Sequence, residues 1–209
     1  MTNYQILITK DHPLYAKIVE RGINYLNYGK FPSAPNVIEL CLLDKVKKRQ
    51  LWESLKDKCI LADLSCHNGD ALIEEFPQVQ GALASAFPSP KQACEYWSKT
   101  AAATELLLQF FKKCDIVGVA VDSPGIGFIY PRIISMIINE AYFAREDQVA
   151  TAQAIDQAMR YGVHYPAGPF ALAQKIGSKS IVALLDELAA STGDLRYQVC
   201  QQLREESLC

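Results

Sequence analysis

The chain has 209 residues, 50% of them hydrophobic and 21% charged, with a net charge of −2 at pH 7. That balance fits a globular chain with a sizeable core, as one large domain or two small ones. It gives no reason to expect a nucleic acid or a membrane surface as partner, and charges interrupt every apolar run too soon for a membrane span.

Seven cysteines, at positions 41, 59, 66, 94, 114, 200 and 209, form no CxxC pair. Most sit in apolar runs, which reads as buried thiols in a reducing compartment. The three histidines, His12, His67 and His164, are scattered, so no metal site is expected. The opening MTNYQILITKDHPLY has no basic stretch followed by an apolar one, and a cytoplasmic location is expected.

In chain order, strands are predicted at 5–9 (QILIT), 37–43 (VIELCLL), 60–64 (ILADL), 79–84 (VQGALA) and 116–121 (IVGVAV). They are continuous apolar runs, the pattern of strands buried on both faces of a parallel sheet. Segments 14–26, 45–55, 70–75 and 93–113 carry apolar residues at helical spacing and are predicted helices. The alternation argues for a doubly wound α/β layer. The basic run Lys45 to Arg49 reads as the wet face of a helix, or as a place to meet a phosphate-bearing ligand such as CoA.

The texture changes at Asp122-Ser123-Pro124-Gly125-Ile126-Gly127, a breaker-rich joint, and divides the chain into 1–124 and 125–209. Everything after it is predicted helical. An apolar stripe runs through Ile133, Ile134, Ile137, Ile138, Ala141 and Tyr142. Thr151 caps a second helix that Gly162 ends in a left-handed conformation. Pro169 opens a third that stops before Gly177, Ser180 caps a fourth, and 195–206 makes the last.

The stretch 127–177 carries Gly127-Phe128-Ile129, Arg132, Asn139-Glu140-Ala141, Ile155-Asp156, Tyr165-Pro166 and Gly168-Pro169-Phe170 in one order. With these elements it resembles the C-terminal domain of the 3-hydroxyacyl-CoA dehydrogenases, and its IINEA and MRYGVHYP segments look like the second helical module of the two-module members. The resemblance implies a Rossmann-like domain in front and a helical domain behind. It also implies helices that line an acyl-CoA cleft and build a homodimer interface, with Phe128, Arg132, Asn139, Glu140, Tyr165, Pro166, Gly168, Pro169 and Phe170 as substrate-cleft or domain-signature residues.

The front half departs from that family. A GxGxxG turn would hold a dinucleotide pyrophosphate on backbone N–H groups, and Ile8 to Leu14 contains no glycine. No cofactor is therefore expected, although the family uses NAD. The resemblance puts the family's serine at or near Cys66, its general-base histidine near Ala84, its glutamate at Glu95 and its asparagine at Pro131. A methyl group takes no proton from a hydroxyl, so no catalytic residues are expected and the domain reads as shortened and degenerate. Two other readings stay open, a non-catalytic acyl-CoA-binding or scaffolding dimer and an active dehydrogenase whose site residues lie elsewhere. Cys66-His67 is read as structural, since neighbours on a turn seldom present their side chains to each other.

Overall fold

The structure, a computed structural model, describes residues 4–208. It falls into two compact units, Met1–Phe128 and Ile129–Cys209.

The first unit is a seven-stranded sheet with helices on both faces. Its elements are β1 (Tyr4–Ile8), α1 (Tyr15–Glu20), β2 (Tyr25–Asn27), β3 (Asn36–Leu40), α2 (Lys45–Ser54), β4 (Cys59–Asp63), α3 (Gly69–Glu75), β5 (Val79–Leu83), β6 (Ala93–Ser98), α4 (Ala101–Cys114) and β7 (Val117–Ala120). The strand order is β2-β1-β3-β4-β5-β6-β7. Neighbours are parallel except β5 and β6. The order reverses between β1 and β3, which makes that gap the topological switch point of a Rossmann-like sheet. Only β2 lies beyond β1, and residues 28–35 cross to β3 without a helix. That side of the switch point thus holds two strands where the six-stranded order has three.

One sheet face packs Ile6, Ile8, Ile38, Leu61 and Leu83 against α1 and α4. The other packs Ile60, Ala62, Val79, Ala82 and Ala84 against α2 and α3. β1, β3, β4 and β5 are covered on both sides, so continuous apolar runs form them. Asp44, Asn68 and Thr100 cap α2, α3 and α4 with side-chain oxygens, each accepting the N–H three residues on.

Three readings need correction here. Residues 93–98 are a strand, in which Cys94 and Tyr96 turn inward on alternate positions. The helix begins only after the Thr100 cap, and Glu95 is therefore a strand residue. Predicted helix 14–26 stops at Glu20, because Gly22 turns left-handed at φ 62° and frees the chain to lay β2 beside β1. Lys48 is not on a wet face: it is fully buried, one turn before Trp52 on the stripe that α2 turns inward.

The second unit is helical, with α5 (Tyr130–Glu146), α6 (Ala152–Gly162), α7 (Pro169–Ile176), α8 (Ser178–Thr192), a short 3-10 turn Leu195–Tyr197 and α9 (Gln201–Ser207). Thr151 caps α6 and Pro169 opens α7 as read from the sequence. Gly162 remains helical, and His164 takes the left-handed conformation instead, at φ 58°. Gly177 precedes α8 and Ser180 lies inside it, buried. The predicted last helix is split by an extended Gln198.

Candidate functional site

Open α/β sheets bind ligands beyond the carboxyl ends of their strands, at the switch point. In this chain that crest is built from the ends of β1, β3, β4 and β5, and the residues that meet there are buried and charged. Asp63 ends β4. Its Oδ2 accepts from Ser85 Oγ at 2.5 Å, Ser85 N–H at 2.9 Å and His12 Nε2 at 3.3 Å. Its Oδ1 accepts from Ser65 Oγ at 2.5 Å and Ser65 N–H at 2.9 Å. Burial works against this charged carboxylate, yet hydrogen bonds from His12, Ser65 and Ser85 hold it well below the usual carboxylate range.

Beside it, the Lys48 ammonium spends its three donors on Glu39 Oε2 at 2.9 Å, the Asp63 carbonyl at 2.9 Å and the Cys41 carbonyl at 3.3 Å. Glu39 also accepts from Cys41 N–H at 2.7 Å and Trp52 Nε1 at 3.3 Å. This buried pair is hydrogen-bonded on both members, the condition under which such a pair persists. His67 lies under the same crest; burial first, and then the nearby Lys48 charge, press its pKa down to about 3.

His12, Asp63 and Ser85 have the residue types of a nucleophilic triad but not its geometry. His12 Nδ1 accepts the Leu14 N–H at 3.1 Å, so Nε2 carries the ring proton and donates to Asp63. Ser85 Oγ lies 3.4 Å from that same Nε2 and therefore finds no base there. The cluster ties the β1–α1 turn to the ends of β4 and β5.

The turn also bears on a dinucleotide. The His12 N–H goes to the Thr9 carbonyl at 3.2 Å, the Leu14 N–H to His12 Nδ1, and the Tyr15 N–H to the His12 carbonyl at 2.8 Å. These donors are engaged within the chain, and α1 has six residues. The turn does not fit the family's pyrophosphate cradle.

The four positions aligned with family catalytic residues are placed as follows. Cys66 is half-buried on the turn between the buried Ser65 and His67. Ala84 and Glu95 come together: one step past the Leu83–Tyr96 pair, the Ala84 N–H donates to the Glu95 carbonyl at 2.9 Å. Directly opposed residues share a sheet face, so Glu95 stands across from the Ala84 methyl. Pro131 is buried in the first turn of α5. The sequence reading named His12 only among scattered histidines and His67 only as structural, and it passed over Glu39 and Asp63; the one available signal was the helical spacing of Lys48 with Trp52.

Phe128 closes the first unit, buried at φ 63° with its N–H on the Pro124 carbonyl at 2.9 Å. In the second unit Arg132 donates to the Tyr197 hydroxyl and lies 5.4 Å from its ring centroid. Asn139 clamps the turn before α9, donating to the Gln198 carbonyl at 2.8 Å and accepting the Cys200 N–H at 2.9 Å. Its neighbour Glu140 is exposed. Tyr165 donates its N–H to the Met159 carbonyl at 3.0 Å, and Pro166 is exposed. Gly168 caps α7 ahead of Pro169, and Phe170 packs on Tyr142 with ring centroids 4.9 Å apart. Among the described residues no group of His, Cys, Asp and Glu could hold a metal ion, and no helix is long and apolar enough to cross a membrane.

A Rossmann-like sheet domain followed by a helical domain is the architecture that the sequence resemblance implies. Comparison with known proteins narrows it. Residues 127–207 match the 3-hydroxyacyl-CoA dehydrogenase, C-terminal domain family. The 3-hydroxyadipyl-CoA dehydrogenase of Escherichia coli K12 is 44% identical over 82 residues, 39% of this chain and 17% of that protein. A probable 3-hydroxybutyryl-CoA dehydrogenase of Bacillus subtilis is 37% identical over 79 residues, 38% of this chain and 28% of that protein. The matches thus span less than a third of these relatives' length. The crystal structure of an (S)-3-hydroxybutyryl-CoA dehydrogenase from Ralstonia eutropha shares the fold, with a TM-score of 0.71 at 15% identity over 98% of this chain and 93% of that one.

These matches correct the expectation of no cofactor. The relatives are dehydrogenases of a family that works with NAD, so NAD is the cofactor that the family assigns to this fold, although the β1–α1 turn departs from the family's cradle.

Proposed function

We propose that the chain serves CoA-thioester metabolism as a 3-hydroxyacyl-CoA dehydrogenase-type protein. It recognises an acyl-CoA but does not, by its own residues, draw the proton from a 3-hydroxyl group. The observation that carries this reading is the buried Ala84 methyl opposite Glu95, at the position that the resemblance gives to the general base. A missing base costs about 10²–10⁴ in rate. Exposed Ile129, at the start of α5, and Ile133 within it, 56% and 52% accessible, support a further part of the reading, a homodimer through the C-terminal helices burying on the order of 1,600 Å² or more.

The test has two arms. Calorimetry with a short-chain acyl-CoA reads recognition, and absorbance of NADH from the matching 3-hydroxyacyl-CoA, with NAD supplied, reads chemistry. Binding without NADH formation is expected. Turnover at about 1 s⁻¹, the low end of ordinary enzymes, would show that a base had been overlooked, and absence of thioester binding would remove the assigned ligand.

A further inference from the structure

We propose that the free edge of β7, together with the flank of α4 beside it, is a docking surface for a second copy of this chain, joined by a two-fold axis that continues the sheet. This surface lies in the first unit and is distinct from the helices discussed above.

The strand comes first. Val117 and Val121 donate their N–H groups to the Gln92 and Tyr96 carbonyls on the β6 side. Backbone groups alternate along a strand, so the N–H and C=O groups of Gly118 and Ala120 point away from β6. Among the described residues no strand pairs with that edge. Val117 and Val119 are 63% and 44% exposed, and β7 itself holds no lysine and no proline, the usual devices that blunt an edge. An antiparallel copy centred on Val119 would set Gly118 against Ala120 of the second copy, and the reverse. Both are outward-facing pairs, so four hydrogen bonds form.

Four bonds on a short strand need support, and α4 supplies it. Leu106 packs against the core cluster that includes Ile18 of α1, and Lys113 lies over Tyr4 of β1, 5.2 Å from its ring centroid. The opposite flank, with Ala101, Thr104, Glu105, Leu108 and Lys112, therefore turns toward the β7 edge. It lines a shallow, mainly apolar groove, and Leu108 is 45% exposed.

This flank is self-complementary. When two antiparallel helices are centred between Leu108 and Gln109, Glu105 of each faces Lys112 of the other, and the two Leu108 side chains meet at the middle. The heights agree as well. Going back from the turn at Asp115-Ile116, three strand steps of about 3.3 Å reach Val119, about 10 Å away. The same distance along the helix, at about 1.5 Å per residue, reaches Leu108. One axis thus serves strand and helix together.

The experiment uses the full chain. Val119→Cys places a thiol on the axis, where opposed Cα atoms come within disulfide range, and mild oxidation is expected to give a covalent dimer. Val117→Cys lies off the axis, opposite Val121, and is expected to stay uncross-linked. Glu105→Lys and Lys112→Glu should each lower the mass seen in sedimentation velocity, and mixing the two variants should restore it. A dimer that forms through the C-terminal helices alone would ignore the charge changes and leave Val119→Cys uncross-linked. That result would overturn the proposal, as would equal cross-linking of both cysteine variants.

Discussion

Asp156 and Gly168 form a single device at the bend between α6 and α7. The Asp156 carboxylate accepts the Phe170 N–H at 2.8 Å and the Ala171 N–H at 3.1 Å, capping α7 from another helix. Gly168 has φ −71° and ψ 157°, open to any residue, so conformation does not require a glycine there. Space does: a Cβ at 168 would stand 2.1 Å from Asp156 Cγ.

Gly168→Ala is therefore expected to destabilise the chain by about 1–3 kcal/mol, as an overpacked site does. Asp156→Ala, which removes the cap, should cost about 1 kcal/mol. The double variant should cost clearly less than the sum, because without the carboxylate the new methyl has room. Urea denaturation of the four proteins gives the coupling, and strict additivity would show that the two residues do not act through one contact.

Stability should fall on the acid side in two stages. His67, with its pKa pressed down to about 3, stays neutral in the folded chain while an unfolded histidine takes a proton near 6.5. The unfolded state thus binds the extra proton between those values, and stability drops by up to about 1.4 kcal/mol per pH unit as pH falls through that window. Asp63 adds to this below its ordinary value of 3.8, because its folded pKa is depressed and its stabilisation is lost as pH falls. His67→Gln should flatten the slope of stability against pH in the upper window alone. An unchanged slope there would place the linkage elsewhere.

Lys48→Met should cost about 3–5 kcal/mol, since it leaves Glu39 as an uncompensated buried charge. Adding Glu39→Gln removes that charge and should recover part of the loss, while the Trp52 and Cys41 donors keep an acceptor. The comparison is read from denaturation midpoints at neutral pH. A second substitution that only adds to the damage would mean that packing, not charge, sets the cost.

The layer order of this fold was legible because strands covered on both faces must be apolar throughout, as β1, β3, β4 and β5 are, and the exposed edge strand β7 carries an apolar run as well. β2 has three residues and no such run, and β6 alternates Cys94 and Tyr96 with Glu95 and Trp97, so it blended into the helical pattern of α4. In the helical unit the caps at Thr151 and Pro169 could be read locally. Asp156 reaching across to α7 could not, since its partners lie 14 and 15 residues away. The crest was the least legible part. Lys48, Asp63 and His12 look like surface residues one at a time, and their burial makes sense only once β1, β3, β4 and β5 end side by side.

The last prediction concerns Ala84→His. The new imidazole would stand across the ladder from Glu95, and a neighbouring carboxylate favours the charged form of histidine. Its pKa, followed by NMR, should therefore be higher in Ala84→His than in the same variant carrying Glu95→Gln. The site is 3% exposed and apolar, so overpacking should cost about 1–3 kcal/mol. NADH formation is not expected to follow, because the buried Pro131 offers no donor where the resemblance places an asparagine. Two readouts keep the parts separable. Equal pKa values in the two variants would show that Glu95 does not face position 84. A rise of about 10² or more in dehydrogenation, the low end of what a general base supplies, would show that the histidine alone was missing and that the rest of the site had remained intact.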